Sequence, residues 1–291
     1  MKIRIVAKTD IGKERDINQD AFTFCTDLNA PVWNHDVAET HLGPKGALLA
    51  VVDGMGGTNA GEVAARLAIE SLQNTFASSR LDAIIASEEK IKTFLSDLVT
   101  TADQFLNEHM TSHPETIGMG TTLVLCWILG DKAHIAWCGD SRCYVFNPRT
   151  GLKPLTKDHS YVQELIDKGE LTEEEALTHP DSNLITRGLG DMDSPAIADI
   201  TSHPIQSNDL FLLCSDGLCG YCNNKTIEGV LTSHYHDIDE CCESLMELAL
   251  NAGGYDNICV ALASVHNDTD DLPHKSSLKQ FFQRLFGSKR E

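Results

Sequence analysis

The sequence predicts an α+β fold with antiparallel sheets, and three observations lead there. Short apolar runs rich in Val, Ile, Leu and Cys recur at 47–52, 122–129, 133–138, 143–146, 209–214 and 258–265, each the length of a buried strand. Long amphipathic stretches are few and fall between groups of these runs. The resulting order is strand, helix pair, four or five strands, helix, strand. It lacks the regular β-α alternation of a parallel sheet.

Taken in order, the start from Met1 to Asp10 carries charges through its only apolar stretch. It has no leader-like apolar region, so no secretory signal is expected. Residues 25–46 hold Asn, Asp, Pro and Gly without a period and read as a surface loop. A helix is predicted over 61–76, where Asn59 and Glu62 form a capping pair. A second is predicted over 88–110, with Ile91, Phe94, Leu95, Leu98, Phe105 and Leu106 at helical spacing. The polar segment 160–190, helical at 162–165 and 172–176, ends in Gly188-Leu189-Gly190 and reads as a flap between strand groups. A third helix, 239–251, stops at Gly253-Gly254.

After residue 265 the composition changes. Residues 266–277 bear Asp, Ser, Pro and His and read as a linker. In 278–291, Leu278, Phe281, Phe282, Leu285 and Phe286 share one helical face among Lys279, Arg284, Lys289 and Arg290. Two readings of this basic amphipathic tail stay open: a terminal helix packed on the body, or a docking element for a partner or an anionic membrane surface.

A formal net charge of −20 over 291 residues argues against nucleic acid as a partner, which needs a basic footprint. Phosphoproteins stay possible, because a bound cation reverses the local sign of a site. No run of about 18 apolar residues is present, so no membrane span is expected. Cys126, Cys138, Cys214 and Cys259 lie inside strand-like runs and read as buried, reduced thiols. A cytoplasmic monomer is expected.

The chemistry concentrates in aspartates at the mouths of strands. Asp53 closes an apolar run and precedes Gly54; Asp140 follows Gly139; Asp216 follows Ser215 and precedes Gly217; Asp256 precedes Asn257 and the last run; Asp20 follows Asn18-Gln19. One Asp-Gly pair is ordinarily a turn. A gathered set of carboxylates would repel unless protonated or bridged by a cation. All-oxygen ligands suit Mg²⁺ or Mn²⁺. A second pattern, Cys219-Gly220-Tyr221-Cys222 with His234 and His236, suggests zinc, but its histidines are too close together for a finger. The competing reading is packed thiols.

Eight motifs follow one another in order: Arg15-Asp16-Ile17-Asn18-Gln19-Asp20, Asp53-Gly54-Met55-Gly56-Gly57, Met119-Gly120-Thr121-Thr122, Gly139-Asp140-Ser141-Arg142, Leu155-Thr156-Lys157-Asp158-His159, His179-Pro180 with Ile185-Thr186-Arg187, Ser215-Asp216-Gly217-Leu218 and Asp256-Asn257. In this order they resemble the metal-dependent protein phosphatases, the type 2C-like serine/threonine phosphatases, and the bacterial branch most. The resemblance spans residues 5–265. It implies a four-layer α-β-β-α sandwich, two stacked antiparallel sheets flanked by helices, with residues 1–265 as the phosphatase domain. It implies two Mg²⁺ or Mn²⁺ ions held by Asp53, the Gly54 carbonyl, Asp216 and Asp256, with Asp53 shared between them. Asp140 with Asp216 would serve a third, looser ion, Asp20 would support the site through water, and Arg15 would grip the substrate phosphate. Phosphorylated proteins and a cognate Ser/Thr kinase are the implied partners.

Two departures stand out. Gln19 replaces a usual Glu, removing a charge, and Met55 stands where animal members have a His proposed as general acid. These two, with the basic tail, support an alternative: a catalytically weak phosphoprotein-binding module of the same fold. Outside the motif, Arg15 would read as a surface ion-pair partner of Asp16 or Asp20. His159 and His179 are the remaining proton-donor candidates, with structural roles in the flap region as the competing reading.

Overall fold

The computed structural model describes residues 1–56, 60–191 and 194–267. The strands are β1 (Lys2–Asp10), β2 (Asp20–Cys25), β3 (Thr40–His41), β4 (Ala47–Met55), β5 (Gly120–Thr121), β6 (Leu123–Leu129), β7 (Lys132–Cys138), β8 (Arg142–Asn147), β9 (Gly151–Pro154), β10 (Asp199–Pro204), β11 (Asp209–Cys214) and β12 (Ile258–His266). The helices are α1 (Ala60–Ser78), α2 (Leu81–Ile84), α3 (Glu88–Ser112), α4 (Tyr161–Asp167), α5 (Glu173–Ala176), α6 (Asp216–Cys219), α7 (Asn224–His234) and α8 (Ile238–Asn251).

Two antiparallel sheets stack face to face. One runs β3-β1-β12-β11-β8-β9 and the other β10-β7-β6-β4-β2, with β5 on β4. Their facing sides fill a core of Ile3, Ile5, Leu49, Val51, Cys126, Ile135, Phe211 and Ala261. Outside the second sheet, α1 and α3 bury Leu72, Phe76, Leu95 and Leu106 against Leu48, Leu125 and Trp127. Outside the first, α7 and α8 bury Ile227, Leu231, Cys241 and Leu245 against Phe146, Leu212 and Leu262. Strands covered on both sides read as continuous apolar runs, and those runs are the ones visible in the sequence. The four-layer expectation matches.

Several elements depart from expectation. Lys2–Asp10, within a start read only for the lack of a leader, forms the long strand β1. Ile3 and Ile5 face the core, while Arg4 pairs with Asp36 and Asp239 and Lys8 pairs with Glu243 on α8. The charges that obscured the strand are the outward half of its alternation. β2, β9, β10 and helix α7 were also missed. The expected run 122–129 starts one residue later, as β6 at Leu123, with Thr122 Oγ1 at 2.8 Å from Ser141 Oγ. The 25–46 loop is interrupted by β3, which pairs with β1.

The flap holds α4 and α5 and closes at its base through bridges Ser160–Ile185 and Thr121–Leu189. The third helix ends at Asn251, before Gly253-Gly254, as expected, and at its start Asp237 accepts from the Glu240 amide at 3.2 Å. The Asn59–Glu62 cap falls on Asn59, which lies outside the described residues, as do nearly all of the linker and the whole of the tail at 278–291. All ten cysteines are free and buried.

Candidate active site

The register of β2 on β4 sets Asp20 directly opposite Asp53. Like charges so placed destabilise a sheet, so the pairing has a purpose beyond folding. Asp216 opens α6, just past the end of β11 in the other sheet, and Asp256 precedes β12. Asp140 lies in the turn between β7 and β8. The carboxyl groups of Asp53 and Asp216 are within hydrogen-bonding reach of each other, and so are those of Asp20 and Asp53. The Asp140 charge acts on Asp53, and the Asp256 charge on both Asp216 and Asp20. The five predicted aspartates are thus linked electrostatically into one group near the ends of both sheets.

Burial and mutual repulsion make this cluster costly. Burial pushes Asp20 up to about 8, with the charges of Asp216 and Asp256 adding to it and the Ser215 hydroxyl opposing it. Asp216 rises to about 6, first from burial and then from the Asp256 charge. Asp53 and Asp140 stand well above the usual carboxylate range, burial again leading. Ser215 Oγ donates to Asp20 Oδ2 at 2.6 Å. Asp20 Oδ1 is buried with no hydrogen-bond partner. A buried, unanswered carboxylate oxygen among raised carboxyls is what a hard divalent cation and its waters would satisfy. Among the described residues no group of three or more His, Cys, Asp or Glu side chains is placed to hold a metal ion directly. Mg²⁺ and Mn²⁺ do not require one, since they bind through one or two carboxylates and keep several waters. The residues present fit such ions.

The surrounding backbone is fixed closely. At Gly54 a Cβ would stand 2.1 Å from the Gly61 carbonyl oxygen, so α1 abuts the end of β4 only because both positions are glycine. Thr121 Oγ1 donates to the Asp53 carbonyl at 2.9 Å, and the Asp53 amide donates to Thr122 Oγ1 at 3.1 Å. Arg15 Nη2 donates to Asp256 Oδ2 at 2.6 Å, and half of the Arg15 side chain meets solvent. Its partner is thus neither Asp16 nor Asp20.

The contacts of other residues in the surround were not legible from the sequence. Asn257 ties the Arg15 loop to the Asp256 turn: its Oδ1 accepts from the Gln19 amide at 2.8 Å, and its Nδ2 donates to the carbonyls of Ile11 and Ile17. Arg142 grips Asp158 with Nε and Nη2 at 2.8 and 2.7 Å, beside Asp140. His159 accepts from the Gly139 amide at 3.1 Å through Nδ1 and reaches Asp199 at 3.2 Å through Nε2, a structural position. His179 Nδ1 accepts from the Asp181 amide at 3.1 Å. Gln19 lies against Gly61, where a Cβ would meet its Nε2 at 2.7 Å. Cys219 Sγ donates to the Ser215 carbonyl at 3.4 Å, while His234 faces Glu240 at 3.5 Å. The zinc reading therefore finds its two halves engaged elsewhere.

A helix-flanked sandwich with carboxylates gathered where both sheets end defines the class of metal-dependent phosphatases. Similarity to known proteins narrows it. The family described as protein phosphatase 2C matches residues 14–288, and the chain belongs to that family. As a member it is a protein serine/threonine phosphatase, a phosphoric monoester hydrolase. It is 33% identical over 261 residues to protein phosphatase PhpP of Streptococcus pneumoniae, covering 89% of this chain and 96% of that protein. The crystal structure of the Mycobacterium tuberculosis serine/threonine phosphatase PstP/Ppp is similar at a TM-score of 0.75 and 31% identity, covering 92% of this chain and 100% of that one. The catalytic domain of PstP in complex with two manganese ions is similar at a TM-score of 0.72 and 31% identity, covering 91% and 99%.

Proposed function

We propose that this chain hydrolyses phosphoserine and phosphothreonine on cytoplasmic proteins at a two-metal centre, opposing a Ser/Thr kinase. Asp53, Asp216 and Asp256 with the Gly54 carbonyl hold the two ions, Asp140 serves a looser third, and Asp20 supports the set. Bound there, Mg²⁺ or Mn²⁺ supplies Lewis-acid charge and lowers the pKa of the attacking water. The observation that carries this reading is the approach of the Asp53 and Asp216 carboxyls, which arrive from different sheets.

Arg15 binds and orients the phosphate. Its guanidinium has donors beyond the one given to Asp256, in the planar fork that matches phosphate oxygens. Ser215 and Asn257 hold the Asp20, Asp216 and Asp256 loops in place through the hydrogen bonds given above. Met55 has no proton to give. Its Cε lies 3.4 Å from where a Gly188 Cβ would stand, so its tip packs at the foot of the flap. The leaving alkoxide takes its proton from solvent in the cleft.

Turnover of a phosphothreonine peptide with Mn²⁺ tests this directly. Asp53→Asn and Asp216→Asn are expected to lower kcat by about 10²-fold or more, and a chelator to abolish wild-type turnover. Full activity in either variant contradicts the assignment. Peptide binding without turnover would favour the phosphoprotein-binding alternative that Gln19 suggests.

A further inference from the structure

Two exposed tyrosines stand beside the phosphate site, and the phosphatase reading does not use them. Tyr221 follows α6, which opens with Asp216, and Tyr255 immediately precedes Asp256. The loops that carry two of the metal-site aspartates thus each present an aromatic ring. The rings lie 5.5 Å apart at 44°, and Tyr221 and Tyr255 are 38% and 53% exposed. Tyr255 has a built seat. Gly253 takes φ +134°, and a Cβ there would stand 2.0 Å from the Tyr255 ring, so the ring rests on bare backbone. A ring held this way loses little freedom when a ligand covers it.

Tyr221 also faces inward. It lines a cavity of about 590 Å³ that reaches from Asp140 and Asp216 to the flap. On the flap side α5 contributes Glu173 and Glu174. Neither makes an ion pair among the described residues. Two of the lining cations are already committed, Arg142 to Asp158 and Lys157 to Asp167 at 2.6 Å, which leaves Lys225 as the opposing charge. Aromatic faces attract cations, and the whole chain carries a net −20.

We propose that Tyr221 and Tyr255 form a recognition ledge for an arginine or lysine next to the phosphorylated residue, with Glu173 and Glu174 as its counter-charges. The proposal rests on the phosphatase reading and deepens it by naming a substrate class: phosphoproteins with basic residues flanking the phosphosite. With the phosphate held at Arg15, the adjoining peptide passes over the tyrosine pair. A cation over a tyrosine face is worth about two- to thirtyfold in affinity, more as water is excluded.

The test is kcat/KM for phosphothreonine peptides that differ only in placing Arg, Leu or Glu at one flanking position at a time, assayed with Mn²⁺. The expected order at the preferred position is Arg, then Leu, then Glu, with Arg about fivefold or more over Leu. In Tyr221→Ala and Tyr255→Ala the Arg-to-Leu ratio is expected to fall toward one, and in Tyr221→Phe and Tyr255→Phe to persist. Glu173→Gln with Glu174→Gln is expected to shrink it in part. Because the ratio is taken within one variant, a general loss of activity cancels. Equal rates on all peptides, a preference for Leu or Glu, or an unchanged ratio in both alanine variants overturns the ledge. Absence of turnover on every peptide overturns the phosphatase reading and the ledge with it.

Discussion

A carboxylate buried against other carboxylates must be answered by a proton or a cation, and Asp20 poses this demand most sharply. Its folded-state pKa is raised to about 8 and that of Asp216 to about 6. A raised acid binds protons more tightly in the folded chain than in the unfolded one. Its stabilising effect is present below the unfolded value and is lost as pH rises through the folded value. Chelated protein should therefore lose stability from about pH 4 to pH 8 through these groups. Buried His134 and His159 and partly buried His203 have lowered pKa values, desolvation leading, and act in the opposite direction. The gain in Tm on adding Mn²⁺ isolates the aspartates and should grow from pH 5.5 to pH 8, roughly following the lost protons. A gain independent of pH would contradict it.

Arg142 gives a second prediction at this scale. A quarter of its side chain meets solvent, so Arg142→Ala should cost about 2–4 kcal/mol, somewhat less than breaking a fully buried pair. Urea denaturation checks it; a loss under 1 kcal/mol would mean the Asp158 pair is only a surface bridge. Asp53, Asp140 and Asp216 were legible in the sequence as strand-end aspartates beside glycine, whereas Asp20 and Asp256, with no adjacent glycine, stood out through the order of motifs. Arg142–Asp158, Ser215–Asp20 and the Asn257 staple were not. Each joins residues by hydrogen bonds across the fold, and such bonds leave no period in the chain. Arg15 shows the same limit: sequence proximity suggested Asp16 or Asp20, and the fold supplied Asp256.

At the scale of elements, the helices α1, α3 and α8 were readable because long amphipathic stripes carry their own period. The missed strands are those at the sheet edges or with one charged face. β1 hides its alternation behind Lys2, Arg4 and Lys8, and the edge strand β10 is half-buried along most of its length. Close approach of elements is equally invisible in sequence. At Gly217 a Cβ would stand 1.8 Å from the Asn257 carbonyl oxygen, so α6 and the start of β12 touch backbone to backbone. Gly217→Ala should push apart the loops that carry Asp216 and Asp256. The expected result is a loss of about 1–3 kcal/mol and weaker Mn²⁺ binding, read by thermal denaturation and metal titration. Wild-type values in both would show that the two loops can yield.

Across the whole molecule, the sandwich places its most expensive residues at one end and its apolar mass everywhere else. Three cores, one between the sheets and one under each of the two helix layers, anchor the strands, and the flap lies between β9 and β10 in the chain. The chain's last described strand ends at His266, one residue past the expected boundary, and the family match continues to residue 288. Because every strand of both sheets among the described residues lies before Asn267, a chain ended after Asn267 should keep its Tm and its turnover of a small phosphate ester. Unfolding on truncation would favour the packed-tail reading over docking.

The most direct test is equilibrium Mn²⁺ titration of wild type and Asp53→Asn, with free metal read by electron paramagnetic resonance. The account predicts that wild type takes up a pair of ions and that the variant, still folded, loses that uptake. Equal uptake by both chains, or none by wild type, would contradict the claim that these carboxylates gather to hold metal.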